Sequence, residues 1–164
     1  MILKKNKKGR IIVFAKDQLV RLIKKTIERK GPNCDLNFID TSRITDMSSL
    51  FYKSQFNGDI GKWNTGNVKS MSFMFYKSEF NGDISGWNTG NVENMRGVFS
   101  FCPFSGDISR WNVENVREMS YMFSNSQFSG DLSNWITTNL RAKNMSYMFL
   151  DSPLEECPPK WYKE

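Results

Sequence analysis

Histidine does not occur in this 164-residue sequence. That removes the commonest general base and the commonest metal ligand. Cysteine is scarce. Cys34, Cys102 and Cys157 form an odd set whose spacings fit no zinc pattern, and in a reducing compartment all three are expected as thiols. Long apolar runs are missing too, and none approaches the ~20 residues of a membrane-spanning helix. The longest early run, Ile11-Ile12-Val13-Phe14-Ala15, is shorter than a secretory apolar region of about 7–15 residues, and no small-residue cleavage site follows it. These absences set the expectation of a cytoplasmic protein without a membrane span. A glycine-rich phosphate loop, a nucleophile elbow and an acid–base pair at motif spacing are also lacking. No enzymatic activity, cofactor or metal is therefore expected.

Leucine and valine are few, and the apolar content is carried by Phe, Met and Trp instead. These residues recur. Met-x-x-hydrophobic-Phe occurs at 47–51, 71–75, 95–99, 119–123 and 145–149, with starts separated by 24, 24, 24 and 26 residues. Tryptophan keeps the same interval at Trp63, Trp87, Trp111, Trp135 and Trp161. A fixed period in the range of roughly 20–50 residues marks a stacked repeat architecture and outranks a reading element by element.

The expected fold is an α/β repeat solenoid, capped at its N-terminus by a strand and a helix. Three regions follow. Residues 1–34 are a basic cap: a Lys-rich tail at 1–9, a short strand at 10–15, and a helix at 18–30 in which Leu19, Leu22, Ile23 and Ile27 share a face. Asp17 is placed to cap that helix, and Gly31-Pro32-Asn33 to end it. Residues 35–152 are five coils. Each is expected to hold a short strand at Asp-Ile-x-x-Trp (about 59–64, 83–88, 107–112 and 131–136) and a short helical turn at Met-x-x-Met-Phe, where i, i+3 and i+4 lie on one face. Residues 153–164 are a terminating strand, made unfit for further pairing by Pro153, Pro158 and Pro159.

Stacking turns the period into columns. Phe51, Phe75, Phe99, Phe123 and Phe149 form one, Phe56, Phe80, Phe104 and Phe128 another, and the tryptophans a third; these are core. Ser54, Ser78, Cys102, Ser126 and Ser152 form a small polar column, expected to bond the backbone of a neighbouring coil. The Asp column (Asp35, Asp59, Asp83, Asp107, Asp131) spreads its carboxylates along a line. Calcium needs six to eight oxygens converging on a point, so these groups are expected to bond backbone N–H groups at bends.

The stretches "FNGDISGWNTGNVENM" and "MSYMFSNSQFSGDLSNW" resemble the BspA-like leucine-rich repeats, and in particular the bacterial surface protein repeat of roughly 25 residues first noted in mycoplasmas. The match covers about residues 35–152, with Trp, Asp, Phe and Met all in register. The resemblance implies right-handed, leucine-rich-repeat-like coils. It also implies protein–protein contact, often adhesion at a bacterial or protist surface, and no catalytic activity. Unlike that surface setting, this chain shows no signal peptide, lipobox cysteine or wall anchor.

Repeat proteins bind through positions that vary while the frame stays fixed. Two columns vary here: Ser49, Phe73, Gly97, Tyr121 and Tyr147, and Tyr52, Tyr76, Ser100, Ser124 and Leu150. Phe101 adds an aromatic in the loop that precedes Pro103. Exposed aromatics in a patch favour a protein partner; single rings that shield neighbouring coils would look the same in sequence. Lys62 and Arg110 mark a flatter candidate face along the expected strands. Charge is uneven as well. Residues 1–30 carry +9 and the remainder −3, so Lys4, Lys5, Lys7 and Lys8 are candidates for an acidic partner or a nucleoprotein. The expected function is a non-enzymatic protein-binding repeat module, a cytoplasmic interaction or inhibitor protein. The alternatives are a surface adhesion repeat and a nucleic-acid binder acting through the Lys-rich end.

Overall fold

The computed structural model describes residues 4–163. β1 (Ile11–Ile12) leads into α1 (Lys16–Lys30), and β2 (Ile39–Asp40) pairs with β1 in parallel, Ile11 opposite Ile39 and Ile12 opposite Asp40. A 3-10 turn covers Ala142–Asn144. These are all the regular elements among the described residues. The expected α/β solenoid, with a strand and a helical turn in every coil, is therefore not what the chain forms.

The reason lies in the backbone of the Met-x-x-Met-Phe segment. Met74 N–H donates to Met71 C=O, Tyr76 to Phe73 and Ser78 to Phe75, each three residues back. Phe73 and Lys77 have φ of 54° and 51°. A helix cannot take a left-handed residue every fourth position, but overlapping turns can. The intervening N–H groups point out of the repeat. Met71, Phe73, Phe75 and Lys77 donate to carbonyls of the next repeat, on Asn94, Arg96, Val98 and Ser100. The same four bonds recur at every step from residue 47 to 151, at 2.7–3.1 Å. Only one residue per repeat closes a bridge, as in Asp46 to Ser70 to Asn94 to Glu118. The result is a stack of turn-built rungs.

Asp-Ile-x-x-Trp is not a strand either. The Asp83 carboxylate accepts the Ser85 N–H at 2.9 Å, and Trp87 N–H donates to Ile84 C=O at 3.1 Å, which folds the segment into a turn. The tryptophans lock adjacent repeats instead. Each indole N–H of Trp63, Trp87, Trp111 and Trp135 donates to a carbonyl 27 residues earlier, on Leu36, Ile60, Ile84 and Ile108. Side-chain ladders add to this. Asn67, Asn91, Asn115 and Asn139 each donate to a carbonyl 25 residues earlier, and Thr65 and Thr89 donate to Asn88 and Asn112.

The core is a set of ring columns. Phe99 is fully buried, with Phe75 at 5.7 Å, Phe123 at 5.8 Å and Phe104 at 4.2 Å between ring centroids. Trp87 stacks on Trp111 and Trp135 on Trp161. In the small polar column, Ser78 and Ser126 accept N–H groups of their own repeats, while the Cys102 thiol donates to Phe80 C=O of the preceding one. Burial pushes that thiol up to about 12.

The ends also differ from expectation. α1 begins at Lys16, and its flanking Ala15 makes no side-chain cap bond. Asp17 lies inside the first turn, where Arg21 bonds it. The free N–H of Phe14 is taken by Gln18 Oε1 at 2.8 Å. The basic stretch 4–9 is not a loose tail: Ile12 N–H donates to Lys4 C=O, and Asn6 bonds Asp40 at 2.7 Å. Residues 1–3 of the expected 1–9 tail lie outside the described residues. No strand forms across 153–163. The stack is closed there by Trp161, whose indole N–H reaches Leu132 C=O at 2.7 Å, and by Tyr162, edge-on to Phe149 at 4.9 Å.

Candidate functional site

The turn-built rungs decide which side chains face out. Met71, Met74 and Phe75 are buried; Phe73, Tyr76 and Lys77 lie on the other side of the same segment. Successive repeats bring their outward residues into one strip. Tyr52 and Tyr76 stack at 5.0 Å. Tyr76 meets Phe73 and Phe101 edge-on, each at 5.7 Å. Two repeats on, Tyr121 and Tyr147 stack at 5.2 Å. The strip thus gathers the five aromatics of the varying columns together with Phe101.

One glycine shapes it. Gly97 has φ of 57°, and a Cβ there would lie 2.6 Å from ring carbons of Phe73. The Phe73 ring lies over the space that a side chain at 97 would fill, which leaves it half-buried.

Three cations are woven between the rings. Lys53 Nζ lies 5.4 Å from the Tyr52 centroid; Lys77 Nζ lies 5.5 Å from Tyr76 and 4.8 Å from Phe101. The Arg96 guanidinium sits 5.9 Å from Phe73 and 5.3 Å from Tyr121, which joins the two aromatic groups. Such pairs attract through the ring quadrupole. The sequence reading missed these cations. A signal was present in the repeated Tyr-Lys step at 52–53 and 76–77. The hydroxyls of Tyr52, Tyr76, Tyr121 and Tyr147 have no partner among the described residues. Tyr52, Phe101 and Tyr147 are among the most exposed large apolar side chains, at 44%, 44% and 56%.

The remaining candidates lie elsewhere. Lys62 lines a shallow glycine-rich hollow with Asp59, Gly61 and Asp83, shared with no strip residue, and its carbonyl takes a bond from Arg10. Arg110 is exposed and is not among the cations that lie over the rings of the strip. Lys4, Lys5, Lys7 and Lys8 are exposed beside the N-terminal strand.

The Asp column is held by its own turns. The Ser85, Ser109 and Ser133 N–H groups keep Asp83, Asp107 and Asp131 below the usual carboxylate range; for Asp59 the Asn37 side chain acts first and the Gly61 N–H next. Among the described residues, no three His, Cys, Asp or Glu side chains converge on one point. No helix among them is long and apolar enough to cross a membrane. The strip offers ring edges, hydroxyls and cations.

No curated protein and no solved structure matches the chain. A family model does match, over residues 21–104 and again over 101–154. Those two spans run from within α1 to the end of the last rung, so the repeats on which the aromatic strip is built are the substance of the match: the chain belongs to the DUF285 family, described as Mycoplasma protein of unknown function.

Proposed function

We propose that this chain is a non-enzymatic protein-binding repeat module whose contact surface is the strip of Tyr52, Phe73, Tyr76, Phe101, Tyr121 and Tyr147. The observation that carries the reading is the convergence of all six on one face, with Lys53, Lys77 and Arg96 between them. Aromatic and Arg side chains dominate binding energy at protein interfaces. The rings lean on one another and on the cations, while Tyr52, Phe101 and Tyr147 stay exposed. The strip thus presents aromatic surface, tyrosine hydroxyls and positive charge to a partner rich in acceptors. The register of Met, Phe and Trp further supports placing the repeats with the BspA-like mycoplasma type, whose implied role is protein contact.

The test is capture from native-host lysate by the wild-type chain and by a Tyr76→Ala/Phe101→Ala variant of unchanged melting behaviour. A protein retained by the wild type and lost by the variant supports the strip. A partner held equally by both removes it. Loss of capture on nuclease treatment would point instead to nucleic acid at the Lys-rich end.

A further inference from the structure

The four bonds that join each rung to the next all run one way. In each step from residue 47 onward their N–H groups point towards the C-terminal end and the accepting carbonyls point back, while bonds such as Lys69 N–H to Thr45 C=O and Glu79 N–H to Ser54 C=O, at the margins of the rungs, run in reverse. Among the described residues no further rung follows 145–151, so donors of that rung face none. Tyr121, Phe123 and Asn125 give their N–H groups to Ser146, Met148 and Leu150. The equivalent N–H groups of Tyr147 and Phe149 have no acceptor among the described residues. The third, on Asp151, is taken from outside the rung by Glu155 Oε2 at 2.8 Å. An oxygen acceptor thus already sits where the next rung's carbonyl would be.

Beside these donors is a hollow of about 530 Å³, lined among others by Tyr147, Phe149, Leu150 and Tyr162. Lys143 belongs to its wall and also to that of a second hollow of about 540 Å³, where Arg117 and Arg141 join it. None of these three cations is in an ion pair among the described residues. Arg117 stands in the column of Lys69 and Glu93, which pair with each other at 3.9 Å. The two-residue lengthening before the last rung brings Arg141 and Lys143 in beyond it.

We infer that this end of the stack is a second protein-binding site, which takes an extended peptide segment of a partner with acidic residues at one end. Two alternate backbone carbonyls of the segment accept from Tyr147 and Phe149, as the carbonyls of a further rung would. A small apolar side chain enters the hollow between Leu150 and Tyr162. The acidic end lies on Lys143, Arg141 and Arg117. Main-chain bonds at an open ladder supply affinity and the flanking pockets supply selection. A second copy of this chain is the weaker occupant. Its matching free carbonyls, on Ser48 and Leu50, lie in the rung to which Lys16 is anchored through Asp46 and Ser48. The inference shares the protein-binding reading in kind but uses no residue of the strip except Tyr147.

The test is amide hydrogen exchange on the full, isotope-labelled chain. Without ligand, the Tyr147 and Phe149 amides exchange at least about tenfold faster than those of Tyr121 and Phe123, as for any unpaired edge. The probe is the synthetic octapeptide Glu-Glu-Asp-Ser-Val-Ser-Val-Ser, with Lys-Lys-Arg-Ser-Val-Ser-Val-Ser as control. At ten times its Kd the acidic peptide slows both amides about tenfold. Lys143→Glu with Arg141→Glu weakens that effect at least about tenfold, while Tyr76→Ala with Lys77→Ala leaves it unchanged. Four results overturn the inference. They are amides already protected in the free monomer, no slowing at millimolar acidic peptide, equal slowing by the basic control, and loss of the effect in the Tyr76/Lys77 variant. Protection that grows with protein concentration alongside a doubled mass assigns the end to a second copy and also overturns the peptide. None of these results bears on capture through Tyr76 and Phe101, so the two readings fail separately.

Discussion

Truncating Phe99 to alanine removes the middle ring of the longest aromatic column. Phe99 is wholly buried, with rings above and below it at 5.7 and 5.8 Å and Phe104 against its side at 4.2 Å. Losing the buried ring costs about 1.5–3 kcal/mol in transfer from water. The gap adds a cavity term. About 100 Å³ left unfilled at ~24 cal/mol per Å³ gives roughly 2.4 kcal/mol, less whatever the site recovers by collapse. Collapse is limited, because the rungs on either side are fixed by backbone bonds from Phe75 to Val98 and from Phe99 to Met122. The expected loss is about 3–5 kcal/mol. In urea, with a slope near 2 kcal/mol per M, the midpoint falls by about 2 M. Tyr76→Ala is the control: the ring is only half-buried and packs against surface neighbours, so it costs under about 1 kcal/mol. The two melts are compared at unchanged slope. Equal losses would mean that the inward and outward faces of the rung have been misassigned.

Gly97→Ala should cost about 1–3 kcal/mol, part from its left-handed φ of 57° and part from a Cβ that meets the Phe73 ring at 2.6 Å, the latter in the ordinary range for overpacking. In a Phe73→Ala background the second part should vanish, and a double-mutant cycle with no coupling would refute the contact. Asp59, Asp83, Asp107 and Asp131 are all held below the usual carboxylate range in the folded chain. Their contribution is therefore complete above the unfolded value and is lost as pH falls through the lower folded ones. Melting temperature should hold level from about pH 7 to pH 5 and fall below about pH 4, less steeply in Asp83→Asn; a level profile down to pH 2 would refute this. Of the three thiols, Cys157 is exposed while Cys34 and Cys102 are buried and raised by burial. An aromatic disulfide reagent should find one fast thiol in the folded chain and all three in urea.

The period, the core columns and the six aromatics of the strip were legible because they depend only on which residue sits in which register. The backbone was not. Met71, Met74 and Phe75 have helical spacing, yet a run of turns with left-handed residues at 73 and 77 sets the same side chains inward. Nothing in the residue types Phe73 and Lys77 announces a positive φ; only Gly97 does. Ile60, Ile84 and Ile108 suggested strands, but the aspartate before each takes the N–H two residues on and bends the chain. Lys62 and Arg110 were chosen as one face of those strands, so they lost their common ground when the strands did. Lys53, Lys77 and Arg96 were passed over because charge was judged by its density along the chain. What placed them over the rings was the left-handed turn, which brings residues 52 and 53 of one repeat beside 76 and 77 of the next.

The same turn gives the stack a backbone polarity that the basic N-terminal cap meets. In an ordinary parallel sheet, N–H and C=O groups alternate on each strand and the dipoles largely cancel. Here the alternate peptides close turns within the repeat, and in each step between residues 47 and 151 four others align along the stack, outnumbering reversed bonds such as Lys69 to Thr45 and Glu79 to Ser54. Aligned peptides leave partial negative charge on the carbonyl end and partial positive charge on the N–H end, as in a helix. The carbonyl end is the N-terminal one. Asp46, Ser48, Leu50 and Tyr52 hold its outward carbonyls, and Lys16 is the cation anchored beside them on Asp46. At the N–H end a carboxylate, Glu155, covers the Asp151 donor. The +9 of residues 1–30 thus complements the polarity of the stack it caps, independently of any partner. Reversing the sign at one end tests this. Lys16→Glu sets an anion beside both Asp46 and the carbonyl row, whereas Lys16→Met only removes the cation. Lys16→Glu should therefore be the less stable in low salt, and the gap should narrow as salt screens it. Equal melts for the two variants at low salt would leave the basic cap without an electrostatic role in the fold.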